Sequence, residues 1–293
     1  MTLHRPTDIA DMKSRMESFS TEEGQARGLG IDVLPSDIFV NTYPKAGTTW
    51  VQQIVHQLRS GGSMDFGEIC DVVPWLELAY DSGIDPLDQG SFEPRVFKTH
   101  LDWDRIPKGA RYIYVVRDPV ATLRSFYSFF EGWLFEPGSI SVAEFAAEWF
   151  MEGTGSGNYW EFIVEWWPHL ANDDVLALAY EHMVADPEAA VRNIAAFMAI
   201  DDEPTIAAAI HNSSRPVMAE HADKFDEHVL RAARDPLMGL PPGGTSQKAR
   251  AESAPVEVPA ETLAALDDLW AAHIESALGF ADYKHLADAV SEL

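Results

Sequence analysis

The stretch Thr42-Tyr-Pro-Lys-Ala-Gly-Thr-Thr-Trp50 sets a lysine, a glycine and two threonines directly after the apolar run Asp37–Tyr43. That run reads as a buried strand, and Gly47–Leu58 as the helix launched from it. A helix that starts at a strand's end directs unpaired backbone N–H groups and the positive end of its dipole at one point. An anion fits there, cradled by the turn Lys45-Ala46-Gly47, with Lys45 as a point charge and Thr48 and Thr49 as hydroxyl donors. Gly47 lets the backbone come close. A tight turn without a ligand is the competing reading. The nucleotide-triphosphatase order G-x-x-x-x-G-K-[ST] is missing here, because the lysine precedes the glycine, and this weakens a magnesium-nucleotide reading.

A second group of residues can move a proton. His100 lies just beyond a short strand through Arg95–Lys98, at the carboxyl edge where α/β sites form. An imidazole there can take a hydroxyl proton near neutral pH. Lys98 shares a face with His100, since residues i and i+2 of a strand point the same way; an edge-strand surface lysine would look the same. Arg117 follows a third strand, Arg111–Val116, and can grip a phosphate bidentately. Asp118-Pro119 then supplies an N-cap and a first-turn proline for a helix through Phe130, with Ser125 two turns in. Taken alone, Ser125 reads as a small packing residue, and Trp50, Trp75, Phe129 and Tyr180 as core aromatics.

The elements that position these groups alternate. Asp174–Tyr180 reads as a fourth strand and Pro187–Met198 as a helix, with further helices at roughly 141–151, 157–167, 203–211 and 259–277. Strands alternating with helices predict an α/β fold with a central, mainly parallel sheet flanked by helices on both faces. No repeat or long linker interrupts the chain, so residues 1–293 read as a single domain. The stretch from about 231 to 259 contains Leu240-Pro-Pro-Gly-Gly and little periodicity, and reads as a mobile, lid-like loop.

Composition narrows the partners. Apolar residues make up 46% of the chain, ample for a packed core, and 47 acidic against 21 basic residues give a formal charge of −26. That balance argues against nucleic acid or an anionic membrane, both of which need basic surface. It leaves room for an anionic cofactor held by a few gathered cations. The single cysteine, Cys70, excludes an intramolecular disulfide framework and a multi-cysteine zinc site. His221, Asp223 and His228 span two helical turns, too far apart for a compact metal site, so no metal is expected. A polar N-terminus without a signal-peptide run, and no stretch near the roughly 20 apolar residues of a membrane span, predict a soluble, cytoplasmic protein.

Several stretches, in order, resemble the cytosolic sulfotransferase family. Tyr43-Pro-Lys-Ala-Gly-Thr-Thr-Trp50 resembles its 5′-phosphosulfate loop, and Pro94-Arg-Val-Phe-Lys-Thr-His100 its P-R-x-x-K-T-H segment. Arg117-Asp-Pro-Val-Ala-Thr-Leu-Arg-Ser125 resembles its 3′-phosphate motif. Gly157-Asn-Tyr-Trp160 through Trp166-Trp167 and Tyr180-Glu-His-Met … Asp186-Pro187 match two further segments, so the likeness runs from about Pro35 to Met218. The resemblance implies a P-loop-like sulfotransferase fold and sulfuryl transfer from 3′-phosphoadenosine 5′-phosphosulfate (PAPS) to an acceptor hydroxyl, leaving 3′-phosphoadenosine 5′-phosphate (PAP). It further implies His100 as general base, Lys45 and Lys98 as catalytic cations, and Arg117 and Ser125 on the 3′-phosphate. Trp50 and Tyr180 then fall on the adenine.

Two departures stand out. Ser213-Ser214-Arg215-Pro-Val-Met218 sits where the family has T-S-F-x-x-M, so Arg215 replaces an aromatic and can stack on the base through its planar guanidinium. The family's R-K-G-x-x-G-D-W has no clean copy; Lys248 or Arg250 can stand in for it, and the residues alone do not choose. Trp75, in a P-F-L-E-like stretch, and Phe129 match acceptor-pocket aromatics. They favour a small phenol or lipophilic alcohol over a sugar polymer, whose sulfation would also oppose the protein's negative field. The rival readings are a catalytically inactive 3′-phosphoadenosine nucleotide-binding protein and a magnesium-dependent kinase or nucleotidase. Oligomeric state is not legible.

Overall fold

The computed structural model describes residues 3–153, 157–245 and 256–293. Four strands, β1 (Ile38–Thr42), β2 (Val96–Thr99), β3 (Arg111–Val116) and β4 (Val175–Ala179), form one parallel sheet in the order β2-β1-β3-β4. The strands read as apolar runs because both faces of the sheet are covered. Alternation then divides their side chains. Phe39, Phe97, Tyr112 and Tyr114 join one core layer, where Tyr114 stacks between Phe162 and Trp166 at 5.8 and 5.2 Å. Ile38, Val40, Val96, Ile113 and Val115 join the other, against Val51, Ile54 and Val55 of the helix Thr48–Ser60.

Parallel strands bring all their carboxyl ends to one edge of the sheet, and that edge carries the site. The end of β1 turns directly into the helix Thr48–Ser60, and the end of β2 into His100. At the end of β3 come Arg117 and the helix Pro119–Trp133, whose N-cap Asp118 accepts from the Ala121 amide at 2.7 Å. The end of β4 leads into the helix Tyr180–Ala185. Outside β2 the segment Pro74–Leu76 runs alongside as a further short pairing. Lys98 N–H donates to the Pro74 carbonyl at 2.8 Å, and Leu76 N–H to the Lys98 carbonyl at 2.9 Å. This contact covers the sheet edge and fixes Trp75 next to Lys98.

The lid-like loop expected from about 231 is corrected at its start. Residues 231–234 close a helix, His228–Arg234, and Met238 and Leu240 are buried in the core. Buried Arg234 donates to the carbonyls of Ser18 at 2.6 Å and Phe19 at 2.8 Å, and the Thr245 amide donates to the Gly132 carbonyl at 3.0 Å. A seven-residue helix is too short to display a helical period, and its anchors lie far away in sequence. Residues 246–255 of that stretch lie outside the described residues. No described helix is long and apolar enough to cross a membrane.

Candidate active site

The turn after β1 is held in an uncommon backbone conformation. Lys45 has φ 72° and Gly47 φ 101°, both in the left-handed region. A side chain on Gly47 would meet the Tyr180 ring, whose Cδ2 would lie 2.6 Å from an added Cβ, so the loop needs glycine there for space as well as for φ. A left-handed lysine costs of order 1–3 kcal/mol and persists only where its surroundings enforce it. Here Arg117 does so: its Nη1 donates to the Lys45 carbonyl at 2.7 Å, fastening the end of β3 to the loop. The amides of Thr48 and Thr49 open the following helix and have no acceptor within it. Thr48 turns its hydroxyl inward, 2.6 Å from Thr42 Oγ1, whereas Thr49 faces the cavity. The Lys45 ammonium lies 4.0 Å from the centre of the Phe129 ring.

His100 is oriented by two contacts. Its Nδ1 lies 2.7 Å from the Thr42 carbonyl oxygen, and its backbone N–H donates to Glu77 Oε1 at 2.8 Å. A carbonyl can only accept, so Nδ1 carries the ring proton and Nε2 is the basic nitrogen. The Trp75 ring meets His100 edge-on at 5.0 Å. Burial pushes the Glu77 carboxyl above its ordinary range, against the opposing pull of the His100 amide.

Lys98 is not an edge-strand surface residue. It is 2% exposed, its Nζ donates to Glu227 Oε1 at 2.7 Å, and the ammonium sits 3.8 Å from the Trp75 ring centre. Burial alone would depress its pKa. The Glu227 carboxylate overcomes that, with further help from neighbouring acidic groups, and the pKa ends above its usual value.

The opposite wall is aromatic and cationic. The Arg117 guanidinium carbon lies 4.3 Å from the Tyr180 ring centre, and Trp50 meets Tyr180 edge-on at 6.0 Å. Trp50 is tied down by its Nε1, which donates to the Ser213 carbonyl at 2.8 Å. Ser213 spends its own hydroxyl on the Ala209 carbonyl, so it meets the cavity through its backbone. Arg215 stands exposed at the rim. On the helix Pro119–Trp133, Ala121, Arg124, Ser125, Ser128 and Phe129 line the cavity together, the 3.6-residue repeat placing them on one face.

These groups surround one cavity of about 1090 Å³. That is slightly above the roughly 300–1,000 Å³ typical of one small-molecule site. Lys45, Gly47, Thr48, Thr49, Trp50, Trp75, Lys98, His100, Arg117, Ser125, Phe129, Tyr180, Ser213 and Arg215 all border it. Ala46 does not: its side chain is fully buried and its amide turns back to the Tyr43 carbonyl at 3.1 Å. Lys248 and Arg250 lie outside the described residues. The cavity adds residues that sequence reasoning missed. Phe19 packs against Trp75 and Trp133 at 5.9 and 5.6 Å, and Met16, Arg124 and Glu227 line the wall as well. Glu77 was legible as part of the P-F-L-E-like stretch, but not as the partner of the His100 amide.

A parallel sheet whose first strand feeds a glycine turn and a helix N-terminus, with cations converging on that turn, defines a P-loop-like nucleotide-binding fold. The comparisons with known proteins narrow it further. Residues 35–230 match the family model described as the sulfotransferase domain, and the chain belongs to the sulfotransferase family. Rat Sulfotransferase 1A1 is 30% identical over 200 residues, covering 64% of this chain and 68% of the relative. Mouse Sulfotransferase 1 family member D1 is 30% identical over 226 residues, covering 73% and 72%. Among solved structures, mouse sulfotransferase SULT7A1 complexed with PAP superimposes with a TM-score of 0.68 at 21% identity, over 94% of both chains. Retinol dehydratase in complex with androsterone and inactive cofactor PAP gives 0.66 at 14% identity, over 94% and 97%. At those identities the two structures speak to the fold. The membership makes the chain an enzyme of sulfuryl transfer and does not favour the inactive nucleotide-binding alternative.

Proposed function

We propose that this sulfotransferase takes its sulfuryl group from PAPS and passes it to the hydroxyl of a small phenol or lipophilic alcohol, with His100 as general base. The observation that carries the reading is the convergence on one cavity of the β1 turn, Lys45, Arg117 and an imidazole whose basic nitrogen is Nε2. The donor fits the residues present. The helix N-terminus at Thr48–Thr49 with Lys45 suits the 5′-phosphosulfate, Arg117 and Ser125 suit the 3′-phosphate, and the Trp50–Tyr180 pair with Arg215 suits the adenine. When bound, PAPS supplies a sulfuryl group already activated on a phosphate leaving group.

The protein's part is then positioning and electrostatics. His100 Nε2 accepts the proton of the acceptor hydroxyl, while the Thr42 carbonyl holds the ring in register and stabilises the proton on Nδ1. Lys45, on its enforced turn, meets the negative charge that grows at the leaving oxygen. Lys98, on the acceptor side, keeps a second cation next to His100. Phe19, Trp75, Phe129 and Trp133 give the acceptor an apolar wall and exclude water from the reacting hydroxyl.

Calorimetric titration with PAP in the presence of EDTA tests the donor assignment. Tight, metal-independent binding is expected, weakened about 10- to 100-fold in Arg117→Ala, since one hydrogen bond to a charged group is worth roughly 1.5–3 kcal/mol. The absence of any PAP binding would remove the donor assignment. A panel of phenols, lipophilic alcohols and polar glycans, each with labelled PAPS, tests the acceptor. Turnover is expected with the first two classes, and glycan turnover without phenol turnover would overturn the reading.

A further inference from the structure

Glu227 takes no part in the roles assigned above, yet its geometry is specific. Its carboxylate and the Lys98 ammonium are 2.7 Å apart, with side chains 4% and 2% exposed. Its backbone is left-handed at φ 56°, a conformation that costs a branched or bulky side chain free energy and that concentrates at functional positions. It also stands at the N-cap of the helix His228–Arg234, where an acidic side chain would ordinarily cap the first turn. Glu227 makes no such bond. Its neighbours do that work instead: the His228 amide donates to Asp226 Oδ1 at 3.1 Å and the Val229 amide to Glu68 Oε2 at 3.1 Å. The Glu227 carboxylate instead reaches 129 positions back along the chain to accept from Lys98.

We propose that Glu227 is the positioning residue of Lys98, holding its ammonium charged and aimed along the Trp75 ring toward His100. This rests on the reading that Lys98 serves sulfuryl transfer. A buried ammonium without a counterion sheds its proton or moves to water. Trp75, 3.8 Å from the ammonium and 5.0 Å from the imidazole, ties the cation to the base. Among the described residues, the titratable groups acting on Lys98 are Glu227 from the turn before its helix, Glu77 from the segment along β2, and Cys70 from the helix Ile69–Val72. His100 follows on Lys98's own strand. Burial keeps the proton on Glu77 to higher pH than usual, and Glu227 is the group that hydrogen-bonds the Lys98 ammonium, at 2.7 Å. The counterion role therefore falls chiefly to Glu227.

The sign of the pH effect follows. Lys98 works as a cation, so activity is lost as pH rises through its pKa. With Glu227 in place that limb lies at high pH. In Glu227→Gln burial acts without its main opponent, and the limb moves down by about 1–3 pH units. Near neutral pH kcat falls about 10- to 100-fold, a loss of the size that misplacing a reacting group causes. The double variant Glu227→Gln/Lys98→Arg carries a guanidinium that stays protonated, so its alkaline limb returns to the high-pH side.

The experiment measures kcat and donor KM against pH for the wild type, Glu227→Gln, Lys98→Ala and the double variant, with PAP calorimetry and thermal unfolding on each. Glu227→Gln that binds PAP normally but shows the lowered limb, reversed by Lys98→Arg, supports the proposal. A wild-type kcat and pH profile in Glu227→Gln, alongside a crippled Lys98→Ala, overturns the proposal alone. Lost activity with an unmoved profile also overturns it, because the carboxylate would then be structural. A wild-type kcat in Lys98→Ala removes the underlying role of Lys98 and the proposal with it.

Discussion

His100→Ala is expected to lower kcat by about 10²–10⁴-fold, the usual contribution of a positioned general base, while leaving the affinity for PAP unchanged. The separation of the two effects comes from the geometry. The imidazole sits at the end of β2, held by the Thr42 carbonyl and next to Trp75, whereas the groups proposed to bind the donor come from the β1 turn and the end of β3. Truncation to alanine leaves the His100 amide on Glu77, because that bond is made by the backbone. Steady-state kinetics with a saturating phenol and PAP calorimetry on the same preparation check this. A kcat within a factor of a few of wild type would dismiss His100 as the base, and a parallel loss of PAP binding would mean that the substitution had disturbed the donor site.

Lys45→Ala is expected to reduce kcat by about 10²–10³-fold, the cost of removing one preorganised donor from developing negative charge. The backbone is not what changes: alanine at φ 72° is as strained as lysine, and Arg117 still donates to the carbonyl of residue 45. The ammonium's contact with Phe129 is lost too, which is worth roughly 0.5–2 kcal/mol and falls on the acceptor side. A large fall in kcat with a modest change in PAP affinity and acceptor KM is therefore the signature. If PAP affinity collapsed while kcat at saturating donor held, Lys45 would be a ground-state binding residue.

The parts of the site that could be read early are local. Strand, turn and helix follow one another within Asp37–Ser60, so the order of Lys45, Gly47 and the two threonines announces an anion cradle before any tertiary contact is known. The same holds for Arg117 and Ser125, which span the end of β3 and the first turns of the next helix. Alternating elements were enough to foresee a parallel sheet covered on both faces, because a βαβ chain has few other ways to bury its strands. Contacts between distant parts of the chain were not legible. Arg117 at the Lys45 carbonyl is 72 residues away, and Arg234 reaches the carbonyls of Ser18 and Phe19 across more than 200 positions. The helix His228–Arg234 is packed by contacts of that kind, and its seven residues show no period of their own.

Ala46 marks the limit of local reasoning in one residue. It lies inside the cradle by sequence, but the turn that presents Lys45 and Gly47 outward must send the residue between them inward, and its amide is used within the turn. Lys98 shows the same limit in the opposite direction. Its position on a short strand allowed a surface lysine or a cavity one, and only the packing of Pro74–Leu76 along β2 and of Glu227 over the strand's end buried it. The sequence by itself determined the class of fold and the strand–turn–helix order around Lys45 and Gly47, since these depend on residues close together in the chain, and it marked His100, Lys45, Lys98 and Arg117 as the candidates for the proposed roles. The tertiary structure alone decided the tautomer of His100, the burial and partner of Lys98 and the aromatic wall that Phe19 completes. Those depend on which ends of the chain meet at the sheet's carboxyl edge, and long-range contact leaves no periodic trace in the residues that make it.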